Sequence, residues 1–187
     1  MTLGYGLIGL IVAAAGYLVY VYNSLVSNKN LVAEGWSGID VQLKRRADLI
    51  PNLIETVKGY ASHEDGLFRE IAELRAKSIS GGSVNEQSAV GQAMSGALGK
   101  LFAVAEAYPE LKADANFRDL QDKLSGIEDE IQLSRRYYNG AVRNLNTMIE
   151  SFPSNFVANF FKFVKSEFFE IGDAAQREVP KVDFKTR

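Results

Sequence analysis

Residues 3–22 carry no charged side chain, and a seven-residue apolar repeat begins almost at once behind them. A run of about 20 mostly apolar residues is long enough to cross a bilayer as one helix. The repeat places Leu25, Val32, Trp36, Ile39, Leu43, Ile50, Leu53, Val57 and Tyr60 on one seam, in steps of three and four, with Lys29 and Arg46 in its two gaps. That period belongs to a helix that buries a narrow stripe against a partner. A chain opening this way is a helical domain on a membrane anchor. Pro51 lies inside the seam, and the backbone bond it removes predicts a bend over 47–51 rather than a stop.

A cleaved signal peptide is the competing reading of the first segment. Ala13-x-Ala15 has the small-residue pattern of a cleavage site, but no Lys or Arg precedes the apolar run, and the run exceeds a usual signal core. Gly9, Ala13 and Gly16 place small residues on one face, where two anchors can approach closely; small residues are also common in membrane helices at large. Lys29 and the trio Lys44, Arg45 and Arg46 follow the segment, whereas the other flank is uncharged Met-Thr. That asymmetry favours a cytoplasmic C-terminal side.

Further along, Ser62-His63-Glu64-Asp65 has the form of a helix start, with Ser62 as cap, and Leu67, Ile71 and Leu74 mark a second helix that ends at Gly81-Gly82. Ser83 with Glu86 forms a capping-box pattern for a third, through Val90, Met94, Leu98, Leu101 and Ala105 to a stop before Pro109. Gly91, Gly96 and Gly99 predict a late start for its well-formed part. A fourth, long helix carries Phe117, Leu120, Leu124, Ile127, Ile131, Tyr138, Val142, Leu145, Ile149 and Phe152, and Pro153 ends it. The fold class is all-α: an N-terminal transmembrane helix, then an antiparallel up-down four-helix bundle with long first and last helices. The boundaries are 1–23 for the anchor, 24–152 for the bundle and 153–187 for a Phe-rich segment and polar tail.

One antiparallel register of the two long helices satisfies apolar, amide and charged positions together. Tyr22 faces Phe152 and Trp36 faces Tyr138; Leu25 meets Ile149, Val32 meets Val142, Ile50 meets Leu124 and Val57 meets Phe117. In the same register Asn28 meets Asn146, Asn30 meets Asn144, Arg46 meets Glu128, and Asp40 falls beside Arg135. Buried polar pairs of this kind fix register at a cost in stability, so these charges read as structural rather than as an active site.

Chemical motifs are missing. His63 is the sole histidine and cysteine is absent, which leaves no His-Glu-x-x-His, no pair of Glu-x-x-His motifs and no thiolate. The glycine clusters lack phosphate-loop spacing, and Glu128 with Glu130 fits a solvated face. A net charge of −2 over 187 residues gives no basic face for nucleic acid. The expectation is a non-enzyme with no cofactor, no metal and no small-molecule substrate. Phe160, Phe161, Val164 and Phe168, with Val157 and Ile171, would share one helical face after Pro153. That face either caps the bundle or lies on the bilayer or a neighbouring subunit.

Tyr22-Asn23-x-Leu25-Val26, the run from Trp36-Ser37-x-Ile39-Asp40 through Pro51-Asn52-Leu53, Val57-Lys58-Gly59-Tyr60-Ala61-x-His63-Glu64, Glu106-Ala107-Tyr108-Pro109-x-Leu111, Arg135-x-Tyr137-Tyr138-Asn139 and Pro180-x-Val182-x-Phe184 resemble the LemA family of bacterial membrane proteins over nearly the whole chain. The resemblance implies one N-terminal anchor in the bacterial inner membrane, a short outside N-terminus, a cytoplasmic helical bundle, and no catalytic residue or cofactor. Residues and resemblance together lead to the expectation of a self-associating membrane scaffold. An adaptor that binds another membrane protein, such as a protease, is the alternative.

Overall fold

A computed structural model of the chain describes residues 2–61 and 63–169. All regular structure among the described residues is helical: α1 (Thr2–Lys58), α2 (Asp65–Ile79), α3 (Val84–Ala105), α4 (Pro109–Ala113), α5 (Ala115–Glu150) and α6 (Ser154–Phe160). α1 contains the chain's candidate membrane span and continues through Pro51 without a stop. No linker separates the apolar stretch from the seam.

The residues fall into two compact units. One holds α1 as far as Gln42 with Asp129–Phe168, and the other holds Leu43–Glu128. In the first unit α1 and α5 run in opposite directions: the rings of Trp36 and Tyr138 lie 5.8 Å apart, and Ser24 Oγ donates to Met148 Sδ at 3.5 Å. Val21, Leu25, Val32 and Ile39 are buried there, as are Ile131, Val142, Leu145 and Ile149. Gly35 permits the close approach, because a Cβ at that position would sit 3.0 Å from Tyr138 Cα.

The second unit has its own core of Ile50, Leu53, Val57, Phe68, Ile71, Met94, Leu98, Leu101, Leu111, Phe117 and Leu124. α3 forms from Val84 onward, earlier than its glycines predict. Ser83 and Glu86 make the full capping box, with Ser83 N donating to Glu86 Oε2 at 2.8 Å, and burial of Met94, Ala97 and Leu98 outweighs the weak local propensity. The predicted cap Ser62 lies outside the described residues; α2 begins at Asp65 with no side-chain cap.

α4 has no counterpart among the predicted helices. Pro109 occupies its first turn, where the missing N–H costs nothing; read as a breaker, the same proline hides the helix. Asp114 then starts α5, its Oδ1 accepting from Asn116 N at 2.8 Å and Phe117 N at 2.9 Å. These bonds, that of Phe117 foremost, hold the Asp114 carboxyl below its ordinary value. Its other oxygen accepts from Tyr60 Oη at 3.2 Å, which raises the phenol.

The Phe-rich segment is not one helix over 157–171. α6 ends at Phe160, closed by Lys162 N on Asn159 O and Phe163 N on Ala158 O, with Lys162 in the left-handed conformation at φ 57°. This is the paired-bond helix stop that glycine usually makes. Residues 163–169 follow without regular secondary structure, and Ile171 lies outside the described residues.

Candidate membrane-interface site

Each unit holds one cluster of side chains that invites a chemical reading. In the second unit Arg46 is 1% exposed, and its Nη1 lies 2.6 Å from Glu128 Oε1 and 3.1 Å from Ser95 Oγ. Ser95 Oγ reaches the other Glu128 oxygen at 2.9 Å, and the Gly91 carbonyl accepts from both guanidinium ends at 3.5 Å. Both carboxylate oxygens and both terminal guanidinium nitrogens are therefore engaged within the cluster. No set of three or more His, Asp or Glu side chains among the described residues has metal-binding proximity.

In the first unit the polar seam residues take different partners from one another. Asn28 Nδ2 donates to Ser24 O at 2.9 Å and to Met148 Sδ at 3.2 Å. Asn146 instead donates to Ser166 O and accepts from Ser166 N, both at 2.9 Å. The predicted Asn28–Asn146 amide pair is thus replaced: a passing backbone satisfies donor and acceptor of Asn146 at once, as another amide would. Asn30 and Asn144 are exposed; Asp40 is exposed and Arg135 half-buried. Tyr138 Oη donates to Glu167 O at 2.8 Å. Burial first, then the Glu167 charge, push that phenol above its ordinary value.

One concave feature of the first unit is apolar. A groove of about 430 Å³ runs between Leu18, Val19 and Tyr22 of α1 and Phe156, Val157, Phe160 and Phe161. Pro153 redirects the chain after α5, and Ser154 Oγ ties the new helix back to Met148 O at 2.7 Å. Val157 and Ala158 are then buried while the phenylalanines stay out. Tyr22 packs against Phe161 at 4.7 Å and Phe163 at 5.9 Å, and Phe160 against Phe161 at 5.0 Å. Phe160 and Val164 are 79% and 78% exposed, Phe161 and Phe168 less so. On α1, Gly9, Ala13 and Gly16 are exposed, with open space where a Cβ at Gly9 or Gly16 would stand. Sequence reasoning missed Leu18, Val19 and Phe156 as lining. The uncharged run 151–161, set after a long helix that returns toward the anchor, carried the signal.

The LemA family profile matches residues 35–184. The chain belongs to the LemA family. Among LemA-related sequences it is similar to Protein LemA of Metamycoplasma hominis, 29% identical over 177 residues, covering 91% of this chain and 77% of that one. It is also similar to Magnetosome protein MamQ of Magnetospirillum gryphiswaldense, 25% identical over 185 residues with 85% and 68% covered. Magnetosome protein MamQ 1 of Paramagnetospirillum magneticum is 24% identical over 186 residues, with 86% and 68% covered.

Proposed function

We propose that this LemA-family chain is a membrane-anchored, non-enzymatic scaffold that self-associates in the bacterial inner membrane. The observation that carries the reading is α1, one helix that leads from an exposed apolar stretch directly into a buried seam. Residues 1–23 are the anchor. Residues 24–152 form an antiparallel bundle of the long helices with α2 and α3, and 153–187 follow it. The N-terminus lies outside and the bundle in the cytoplasm, in line with Lys29 and the Lys44–Arg46 cations behind the span. Gly9, Ala13 and Gly16 supply a face on which anchors meet. Arg46 and Glu128 set register, and with Ser95 and Gly91 they form a hydrogen-bonded cluster in line with a structural role.

The test is particle size by negative-stain microscopy in mild detergent, for the full-length protein beside a variant lacking residues 1–23. Large ordered particles that vanish without the anchor support the scaffold. Small monodisperse particles in both samples overturn it and turn the reading to an adaptor.

A further inference from the structure

We propose that α6 and the turn after it insert into the bilayer leaflet beside the end of the anchor, with lipid acyl chains filling the groove against α1. The inference rests on the anchor reading above and goes further, since it adds a second inserted element to a single span.

Depth comes first. The uncharged run 3–22 spans about 30 Å as a helix, one hydrocarbon thickness. Leu18, Val19 and Tyr22, which form one wall of the groove, therefore lie in the last ~6 Å of that run. Tyr20 and Tyr22 mark the same level as interfacial aromatics, 70% and 38% exposed. Phe156, Phe160 and Phe161 form the opposite wall, so they occupy that depth too.

Chemistry agrees with depth. No residue from Ser151 to Phe161 is charged, and the first cation after the run is Lys162. Water-facing phenylalanines have no reason to line up on a helix of this length; acyl chains give them one. Lys162 holds the left-handed helix stop, a position where glycine is free of strain and lysine is not. The lysine at this stop places an ammonium at the edge of the apolar collar, where a long side chain reaches the headgroup layer. The adjacent Lys165 is paired with Glu150, so the collar is apolar with one cationic edge and does not require anionic lipid.

The chain lacks cysteine, so single cysteines can carry nitroxide labels in the full-length protein. The experiment places labels at Phe160→Cys, Val164→Cys, Leu10→Cys and Glu110→Cys, in vesicles of phosphatidylethanolamine and phosphatidylglycerol. Collision with oxygen, which partitions into lipid, is compared with collision with a water-soluble nickel chelate. Both collar side chains are exposed, so neither substitution unpacks a core; circular dichroism checks helicity. The expected result is an oxygen-to-chelate ratio at Phe160→Cys several-fold above that at Glu110→Cys and near that at Leu10→Cys, with Val164→Cys between. A water-like ratio at Phe160→Cys and Val164→Cys, with a lipid-like one at Leu10→Cys, overturns the inference and spares the anchor. A water-like ratio at Leu10→Cys as well overturns both. Protection from both reagents, with dipolar broadening that unlabelled chain dilutes away, assigns the groove to a second copy and also overturns the inference.

Discussion

Arg46 and Glu128 meet at 2.6 Å although the arginine is 1% exposed and the glutamate 28%. Glu128→Ala leaves a buried guanidinium with one hydroxyl and one carbonyl, and the expected loss is about 3 kcal/mol, reduced toward 2 by water reaching the partly open side. Arg46→Met with Glu128→Leu replaces the pair by apolar volume and is expected to recover most of that loss. Urea denaturation of the three forms checks it.

Gly35 and Gly38 lie on α1 one turn apart, yet methyl groups at the two positions meet different surroundings. At Gly35 a Cβ stands 3.0 Å from Tyr138 Cα and 3.1 Å from Tyr137 Cδ1, whereas at Gly38 the nearest atom is Ser134 Oγ at 4.0 Å. Gly35→Ala is expected to destabilise by about 1–3 kcal/mol through overpacking. Gly38→Ala is expected to stabilise by about 0.5–1 kcal/mol through helix propensity. Thermal melts that shift in opposite directions satisfy the prediction.

Asp114 couples α5 to pH. Its folded carboxyl titrates below the ordinary value of 3.8 because it accepts from the Phe117 amide first, and from Tyr60 and the Asn116 amide besides. A depressed folded value contributes stability above the ordinary aspartate range, and that contribution is lost as pH falls through the folded value. Asp114→Ala is therefore expected to lower the melting temperature at neutral pH and to differ less from the parent in acid. Glu86, lowered by Ser83 N and Oγ, acts in the same direction.

Asn146 fastens the chain beyond α6 through two bonds to one residue. Asn146→Ala is expected to raise amide exchange at Ser166 by roughly tenfold or more, since each lost bond of this type weakens closure by about 1 kcal/mol. Exchange inside α5 near Leu145, which is buried, is expected to stay unchanged.

Gly9 and Ala13 test the contact proposed between anchors. Gly9→Asp or Ala13→Asp is expected to disperse assemblies into small particles on negative-stain grids, because a charge at membrane depth cannot sit in a close helix crossing. Unchanged particle size would count against that face.

Much of this architecture can be read from residue spacing because long helices repeat one rule many times. The seam from Leu25 to Val57 fixes a face, and opposed polar gaps such as Arg46 and Glu128 add what an apolar stripe lacks. Ser83 and Glu86 announce α3 through side chains that bond locally. Where one residue type serves two ends, spacing fails. Pro109 starts α4 as readily as it ends α3. Lys162 stops α6 in a conformation that no lysine signals, so phenylalanines with helical spacing continue past the helix. Asn146 was legible as a polar seam residue, but its partner is a backbone 20 residues on, and backbones leave no pattern in side chains.

The clasp at Asn146 has a consequence for how this chain can diverge. A side-chain amide presents a donor nitrogen and an acceptor oxygen side by side, as a peptide group does, so it takes Ser166 as backbone and is blind to its hydroxymethyl. Tyr138 treats Glu167 the same way, through the carbonyl. At Ser166 and Glu167 the route of the segment is thus read by α5 through backbone alone, so these two side chains can lengthen or change sign while the two clasps stay put.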